Sequence, residues 1–394
     1  MRIGLDLGTA LPASDAPPPA VVELVAELMR QAGEEDEVVV FLPDAAGPIA
    51  WRIRDHKLRQ VEAPFGAGRS AELWRALSFP AVERLSAGPN GPRVGALDVC
   101  HSLEPPLMPS RARRRVLTVP SLSELSGSLR RSLRRADRIL VTSAALQGAL
   151  LERLRASRPG KLEQLEARVS VVHPGIHPRF AEPPKASAIE SLCGRHPFLE
   201  RPYLLGVGPT GLHDPGAACL REAWARARRS APRLPRLVLA LPAPPSAEEI
   251  AGFLEPVSAG DEGPVILEAP EAELLPALYR GAELVLHPAR DHRFGRPVAE
   301  AAAAGVPVVV GAECGVFEVL CEAAVPVTAE DPETWAQAIV ALHRAPDERA
   351  RRSQAGLEPA RRTSWARTAA QLWEIYRGAG ASDDLPLPAQ GPVC

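Results

Sequence analysis

The segment His287 to Gly305, HPARDHRFGRPVAEAAAAG, follows the short apolar run Glu283 to Leu286 (ELVL) and decides how the rest of the chain is read. The apolar run is expected to be a strand. It feeds a loop carrying Phe294-Gly295-Arg296-Pro297, and an alanine-rich helix is expected to open at Pro297 with Glu300 in its first turn. Proline suits the first helical position because its missing N–H has no intrahelical partner to lose. The loop N–H groups and the positive end of the helix dipole then offer a seat for an anion such as a diphosphate.

Beyond this segment, short apolar runs alternate with longer amphipathic ones, the pattern of parallel α/β layers. Strands are expected at Arg2 to Leu5, Val38 to Leu42, Asp98 to His101, Val116 to Val119, Ile139 to Thr142 and Val169 to Val172. Helices are expected over Ala20 to Arg30, Leu129 to Arg135 and Ala144 to Leu154. After Phe180 the texture changes to AEPPKASAIESLCGRHPFLERP, proline-bearing and polar as a linker should be. A second series of strands follows at Tyr203 to Val207, Arg236 to Ala240, Val265 to Glu268, Glu283 to Leu286 and Val308 to Val310, and an amphipathic helix, Trp365 to Tyr376, closes it. At 394 residues the chain exceeds the usual size of a single core. The expected division is a first domain over 1–180, a linker over 181–200, a second domain over 201–362, a C-terminal helix over 363–378 and a disordered tail over 379–394.

The opening segment is similar to the donor-site motif of retaining GT-B glycosyltransferases of family 4, E-G-F-G-x-P-x-x-E. Phe294, Gly295, Pro297 and Glu300 fit it, while His292 stands where the first glutamate belongs. Further fragments fall in the family's order: DVCHS around His101, RRADRILVTS at Arg134 to Ser143, VSVVHPGIHPRF at Val169 to Phe180, LLPALYRGAEL at Leu274 to Leu284, and TSWARTAAQLWEIY near the end. The resemblance implies two doubly wound, Rossmann-like parallel-sheet domains facing across a cleft, with ligands at the carboxyl ends of the strands. It implies that the last helix returns to the first domain. It also implies transfer of a sugar from a nucleotide-sugar donor to a hydroxyl acceptor, saccharide or lipid-linked, with retention and with no cofactor or metal required.

Residue by residue, Glu300 matches the glutamate that binds the donor's ribose hydroxyls, a task for which a carboxylate can accept from both vicinal groups. Its other reading is a carboxylate that serves the helix dipole. The family's first glutamate contacts the transferred hexose. His292 can hydrogen-bond a sugar without bringing a fixed negative charge, and Asp291 beside it carries one, so these two are the catalytic candidates, against the alternative of a solvated loop. After the first strand of the second domain the family carries an arginine and then a lysine that neutralise the diphosphate. Here the chain reads GVGPTGLHDPGAACL, so Gly208 matches, Pro209 stands at the arginine's position and Asp214 at the lysine's. No lysine follows Lys185, so a replacement must be arginine, and Arg290, Arg293 and Arg296 flank the Phe294-Gly295 loop. In the first domain, Pro120 and Ser121 stand where many members carry a His-Asp pair, and Gly8-Thr9-Ala10-Leu11-Pro12 replaces the glycine-rich acceptor loop.

A formal charge of −2, from 46 basic and 48 acidic residues, gives no global electrostatic reason for a nucleic-acid partner. The cysteines Cys100, Cys193, Cys219, Cys314, Cys321 and Cys394 are scattered without C-x-x-C spacing, which argues against a zinc ribbon, a redox pair or a disulfide framework and fits a reducing cytoplasm. His173 and His177 are separated by Pro174 and Gly175, so they are expected in a turn and not as a metal pair. The start of the chain lacks the features of a signal peptide, and no stretch is long and apolar enough to span a bilayer. Two arginine-rich runs, Arg111 to Arg115 and Arg130 to Arg138, read either as solvated faces or as a surface for peripheral contact with the inner face of an anionic membrane. Two functions follow: an active transferase, or a family member without turnover that serves as a nucleotide-binding or scaffolding subunit.

Overall fold

A computed structural model describes residues 1–7, 19–42, 58–62, 81–85, 93–122, 126–157, 162–200, 202–254, 263–288, 292–328 and 330–378. The chain divides into two compact units. One comprises Met1–Gly175 together with the helix that begins at Trp365, and the other runs over Ile176–Ser364.

The first unit is built on strands β1 (Arg2–Asp6), β2 (Glu37–Leu42), β3 (Leu58–Glu62), β4 (Val99–Ser102), β5 (Arg114–Val119), β6 (Arg138–Val141) and β7 (Val169–Val171). They form one sheet in the order β3-β2-β1-β4-β5-β6-β7, and every pairing is parallel. Its helices are α1 (Pro19–Gln31), α2 (Gly127–Arg135), α3 (Ala144–Ser157) and α4 (Leu162–Glu166). The second unit holds β8 (Tyr203–Gly206), β9 (Arg236–Leu241), β10 (Val265–Glu268), β11 (Ala282–His287), β12 (Val308–Gly311) and β13 (Ala324–Val327), in the parallel order β10-β9-β8-β11-β12-β13. Around it lie α5 (Ala186–Arg195), α6 (Pro215–Ser230), α7 (Ala247–Phe253), α8 (Leu275–Gly281), α9 (Arg296–Ala303), α10 (Phe317–Leu320), α11 (Pro332–Arg344) and α12 (Pro346–Arg362). Both units are therefore doubly wound, with strand order reversing at β1/β4 and at β8/β11.

Alternation along the strands sorts side chains onto two buried faces. Tyr203, Leu205, Val285 and Val308 face one core cluster with the alanines of α9, while Leu204, Leu284, Leu286 and Val309 face another with Trp224 and Trp335 of α6 and α11. Strands β3 and β13 were not expected from sequence. Both are edge strands, LRQVE with three polar residues and AVPV with a proline, so neither carries the apolar run of a central strand.

The stretch 181–200, expected as a linker, is folded into α5 and a 3₁₀ turn at Pro197–Glu200. Leu192 and Leu199 bury there beside Phe180, Tyr203 and Leu278. Two apolar anchors in an otherwise polar sequence suffice to dock a short helix while leaving its composition linker-like. In α2 the leucines point inward: Leu129 and Leu133 pack with Ala136 and Ile139, and Arg131, Arg134 and Arg135 remain exposed. That helix keeps no apolar face for a membrane. Among the described residues no helix is long and apolar enough to cross one. The Gly8 to Pro12 loop and the tail 379–394 lie outside the described residues.

Helix α13 (Trp365–Arg377) completes the first unit. It lays Trp365, Ala369, Leu372, Trp373 and Tyr376 into the cluster formed by Ile3, Leu5, Val38, Val99 and the apolar face of α1. Its polar groups are matched too: the Trp373 indole donates to Leu28 O at 3.1 Å, Thr368 Oγ1 to His173 O at 2.8 Å, and Arg114 Nη1 to Ile375 O at 2.7 Å. His101 on β4 is the innermost of these links, with Nδ1 hydrogen-bonded to the Tyr376 hydroxyl at 2.6 Å and Nε2 to the Thr118 hydroxyl at 2.7 Å. Burial lowers its pKa to about 3, so the ring is neutral. A histidine that protonates near 6.5 when unfolded and only near 3 when folded contributes stability that is present above pH 6.5 and lost as pH falls between those values. Each pH unit in that window costs about 1.4 kcal/mol for one such proton. Urea unfolding at a series of pH values from neutral to mildly acidic is expected to show this slope, and His101→Gln to reduce it by about one proton; equal slopes in the two proteins would refute the assignment.

Candidate functional site

The reversal of strand order places the carboxyl ends of β8 and β11 side by side. Doubly wound sheets bind ligands at such a point. Gly208 follows β8 with φ +103, and a Cβ built there would sit 2.3 Å from Nδ1 and Cε1 of His287 at the end of β11. The His287 ring is buried and donates from Nδ1 to Val207 O at 2.9 Å. Only glycine fits against that ring in that backbone conformation.

The following turn is closed by Asp214, the N-cap of α6. Its Oδ1 accepts from Gly216 N at 2.8 Å, and its Oδ2 accepts from Thr210 N at 3.1 Å and from the Thr210 hydroxyl at 3.2 Å. The position that the family resemblance assigns to a lysine is thus a carboxylate that satisfies the helix's own start. It supplies no positive charge to a phosphate.

Across the reversal, α9 begins at Arg296, one residue before the expected start, and Pro297 occupies the second helical position. Gly295 caps it in the left-handed conformation, φ 76 and ψ 49, and a Cβ there would meet Cys314 Sγ at 2.4 Å. Phe294 is buried in the core, so it anchors the loop. The loop is also tied through Gly315 N, which donates to Arg293 O at 2.9 Å. Pro297 has no N–H, and Val298 N donates back to Gly295 O at 2.9 Å. The first turn therefore offers few amides to an anion, and the guanidinium groups must carry most of that task. Of these, Arg293 is exposed and His292 half-buried, while Arg290 and Asp291 lie outside the described residues.

Glu300 lies buried on α9. Tyr279 of α8 donates its hydroxyl to Oε2 at 3.3 Å, and Arg296 Nε lies 3.2 Å from Oε1. That ion pair lacks hydrogen-bond alignment, so the buried Arg296 Nε has no hydrogen-bond partner. A second guanidinium acts electrostatically on the same carboxylate: Arg179, from the 3₁₀ turn Pro178–Phe180, lies over the Phe180 ring at 5.1 Å, and its Nε is also buried and unpartnered. Burial raises the Glu300 pKa, against the lowering effects of Arg296, the Tyr279 hydroxyl and Arg179. The turn is fixed by His177, whose Nδ1 accepts from Arg179 N at 3.0 Å, and by the edge-on contact of Phe180 with Tyr279 at 5.7 Å. Arg179 and Tyr279 were not singled out from sequence. HPRF reads there only as a turn and LYRG as a helix, and no spacing ties either to Glu300.

A family model described as "Family 4 Glycosyltransferase in conflict systems" matches residues 214–372. The D-inositol 3-phosphate glycosyltransferase of Nocardioides sp. (strain ATCC BAA-499 / JS614) is 29% identical over 390 residues, covering 92% of this chain and 84% of that protein. The chain is thus similar to family 4 glycosyltransferases. The same-named protein of Corynebacterium glutamicum (strain R) is 35% identical over 118 residues, 29% of this chain and 28% of that protein. Among solved structures, sucrose-phosphate synthase from Thermosynechococcus elongatus has a TM-score of 0.68 at 20% identity, covering 97% of this chain and 99% of that one. Anabaena Alr3699/HepE in complex with UDP-glucose has a TM-score of 0.67 at 16% identity, covering 96% and 100%. The shared fold is GT-B. Against the family 4 motif, the first-glutamate and cationic-pair positions of this chain depart, as His292, Pro209 and Asp214.

Gly208→Ala is expected to force the backbone or His287 to move and to lower the melting temperature by about 3 °C or more. Adding His287→Ala should restore part of the loss, read by differential scanning calorimetry. A Gly208→Ala protein that melts with the parent would remove the close approach from the account.

Proposed function

We propose that the second unit binds a nucleoside diphosphate sugar at the carboxyl ends of β8 and β11, and that the chain transfers the glycosyl group, with retention, to a hydroxyl of a saccharide or phosphorylated polyol. The observation that carries this reading is the buried Glu300 carboxylate bracketed by Tyr279, Arg296 and Arg179, with both guanidinium Nε donors unpartnered. Two cations against one anion leave net positive charge where a diphosphate is to sit. The carboxylate is suited to the ribose hydroxyls and the arginines to phosphate oxygens. As the bond to the leaving diphosphate breaks, negative charge grows on its oxygens, and preorganised guanidinium groups stabilise that charge. Arginine would thereby replace the cationic pair lost at Pro209 and Asp214, and no metal or other cofactor is required.

The names of the curated relatives make a phosphorylated inositol the first acceptor to test, and the Anabaena complex makes a uridine diphosphate sugar the first donor. The reading keeps the chain cytoplasmic. A second reading, a nucleotide-binding subunit without turnover, is favoured by one observation: the Asp214 carboxylate is committed to capping α6 where the motif calls for a lysine.

UDP and UDP-glucose, among a panel of nucleotides, are expected to raise the melting temperature by the mass-action effect of binding the folded state. Glu300→Gln, Arg296→Ala and Arg179→Ala should each weaken nucleotide affinity about tenfold, the effect of losing roughly 1.4 kcal/mol. Slow donor hydrolysis that persists in EDTA supports the transferase, and binding without hydrolysis supports the second reading. If no nucleotide shifts the melting temperature, both fail.

A further inference from the structure

The two arginine-rich runs of the first unit, apart in sequence, meet at one pocket. It has a volume of about 130 Å³ and lies beside the amino end of β5, where Arg111, Arg115 and Arg135 line it over an apolar floor of Leu107, Met108 and Pro109. Arg111 and Arg115 come from the segment entering β5, and Arg135 from the last turn of α2. Three guanidinium groups thus converge on one small space, with the charge of Arg115 offset by Asp137. Among the described residues no carboxylate lines it.

The nearby acids are already engaged behind the pocket. Asp137 holds Arg115 from one side, accepting Nε and Nη2 at 3.0 Å each, which leaves three of the five guanidinium donors of Arg115 for a ligand. Glu83 Oε1 accepts from Ser110 Oγ and, at 2.7 Å, from Arg111 N, while its buried Oε2 has no hydrogen-bond partner, so the Ser110 hydroxyl is spent on the wall of the pocket. Arg111 itself has no ion pair among the described residues. The loop that carries it is held in place from several directions: Met108 N donates to Ser102 Oγ at 2.8 Å, Leu107 N to Ser132 Oγ at 3.0 Å, and Val82 N to Pro109 O at 3.0 Å. The floor is rigid and the rim cationic.

We infer that this pocket binds a phosphate monoester. A volume of about 130 Å³ equals that of about four waters, enough for one tetrahedral oxyanion and the first carbons of its ester, and too small for a nucleotide. Guanidinium forks from three directions match the oxygens of a phosphate dianion, and the Leu107, Met108 and Pro109 surface accepts the ester's carbon side. The ligand is distinct from the donor, because Arg115 lies at the amino end of its strand and doubly wound sheets take substrates at the carboxyl ends. The inference does not rest on the nucleotide reading of Glu300.

The source of the phosphate, a soluble ester or a lipid headgroup, is separated by the experiment. The full chain is titrated calorimetrically at low ionic strength with inorganic phosphate and with glycerol 3-phosphate, and is sedimented with phosphatidylcholine vesicles containing phosphatidic acid or, at matched charge, phosphatidylserine. The double variant Arg111→Gln/Arg135→Gln is expected to weaken phosphate binding at least tenfold while keeping the parent's circular dichroism and UDP response. Arg229→Gln, an exposed arginine of the second unit, should change nothing. Binding of glycerol 3-phosphate without vesicle binding identifies a soluble ligand, and selective sedimentation with phosphatidic acid identifies a lipid; each supports the site. Absence of phosphate binding, equal affinity in parent and double variant, or equal sedimentation with phosphatidylserine would overturn it.

Discussion

A wholly parallel sheet has no face that it can leave to water, because the crossovers that connect its strands must pack on both sides. Both sheets of this chain are of that kind. The first sheet meets the demand only with help from the far end of the chain: α13 returns Trp365, Leu372, Trp373 and Tyr376 to the face that α1 covers only in part. His101 is buried by the same closure, between Tyr376 and Thr118, and its neutral ring is the electrostatic consequence of a packing requirement. In the second sheet, α6 and α11 cover one face with Trp224 and Trp335, and the alanines of α9 lie close against the other. Small side chains there let the helix approach the sheet and bring its first turn to the reversal in strand order.

The candidate site follows from that approach. Once α9 is seated against β11 and β12, Glu300 is carried out of water, and an isolated carboxylate in such a place is costly. Tyr279, Arg296 and Arg179 reduce that cost while keeping donors available, so the surroundings that stabilise the carboxylate also define what it can recognise. Asp214 illustrates the opposite outcome. Its charge is consumed locally by the start of α6 and by Thr210, and a position that the family motif reserves for a cation has become part of the scaffold.

Much of this was legible in the sequence, and the misses have definite causes. The central strands and the long helices announce themselves because burial on two faces demands uninterrupted Val, Leu and Ile. The edge strands β3 and β13 do not, since half of each needs no apolar cover. The segment 181–200 looked like a linker because α5 docks through little more than Leu192, with Leu199 following in the next turn. At the site, the left-handed Gly295, the helix start beside Pro297 and the placement of Glu300 follow from local rules of capping and turn geometry. The arginine expected to carry the phosphate was sought next to the motif in sequence, at Arg290, Arg293 and Arg296; only the last of these is seen against Glu300, and its companion Arg179 comes from more than a hundred residues earlier.

The sequence by itself determined the fold class, the double winding and the position of the Phe294-Gly295-Arg296-Pro297 turn, because each depends on periodicity and on residues that are neighbours along the chain. The tertiary structure alone decided which charges meet. Arg179 acts on the charge of Glu300 only because the 3₁₀ turn of Pro178–Phe180 packs against α8 and α9, and Arg111 and Arg115 meet Arg135 at one pocket only because β5 pairs beside β6 at the end of α2. Electrostatic partnership depends on distance in space and on exclusion of water, and neither quantity is written in the order of the residues.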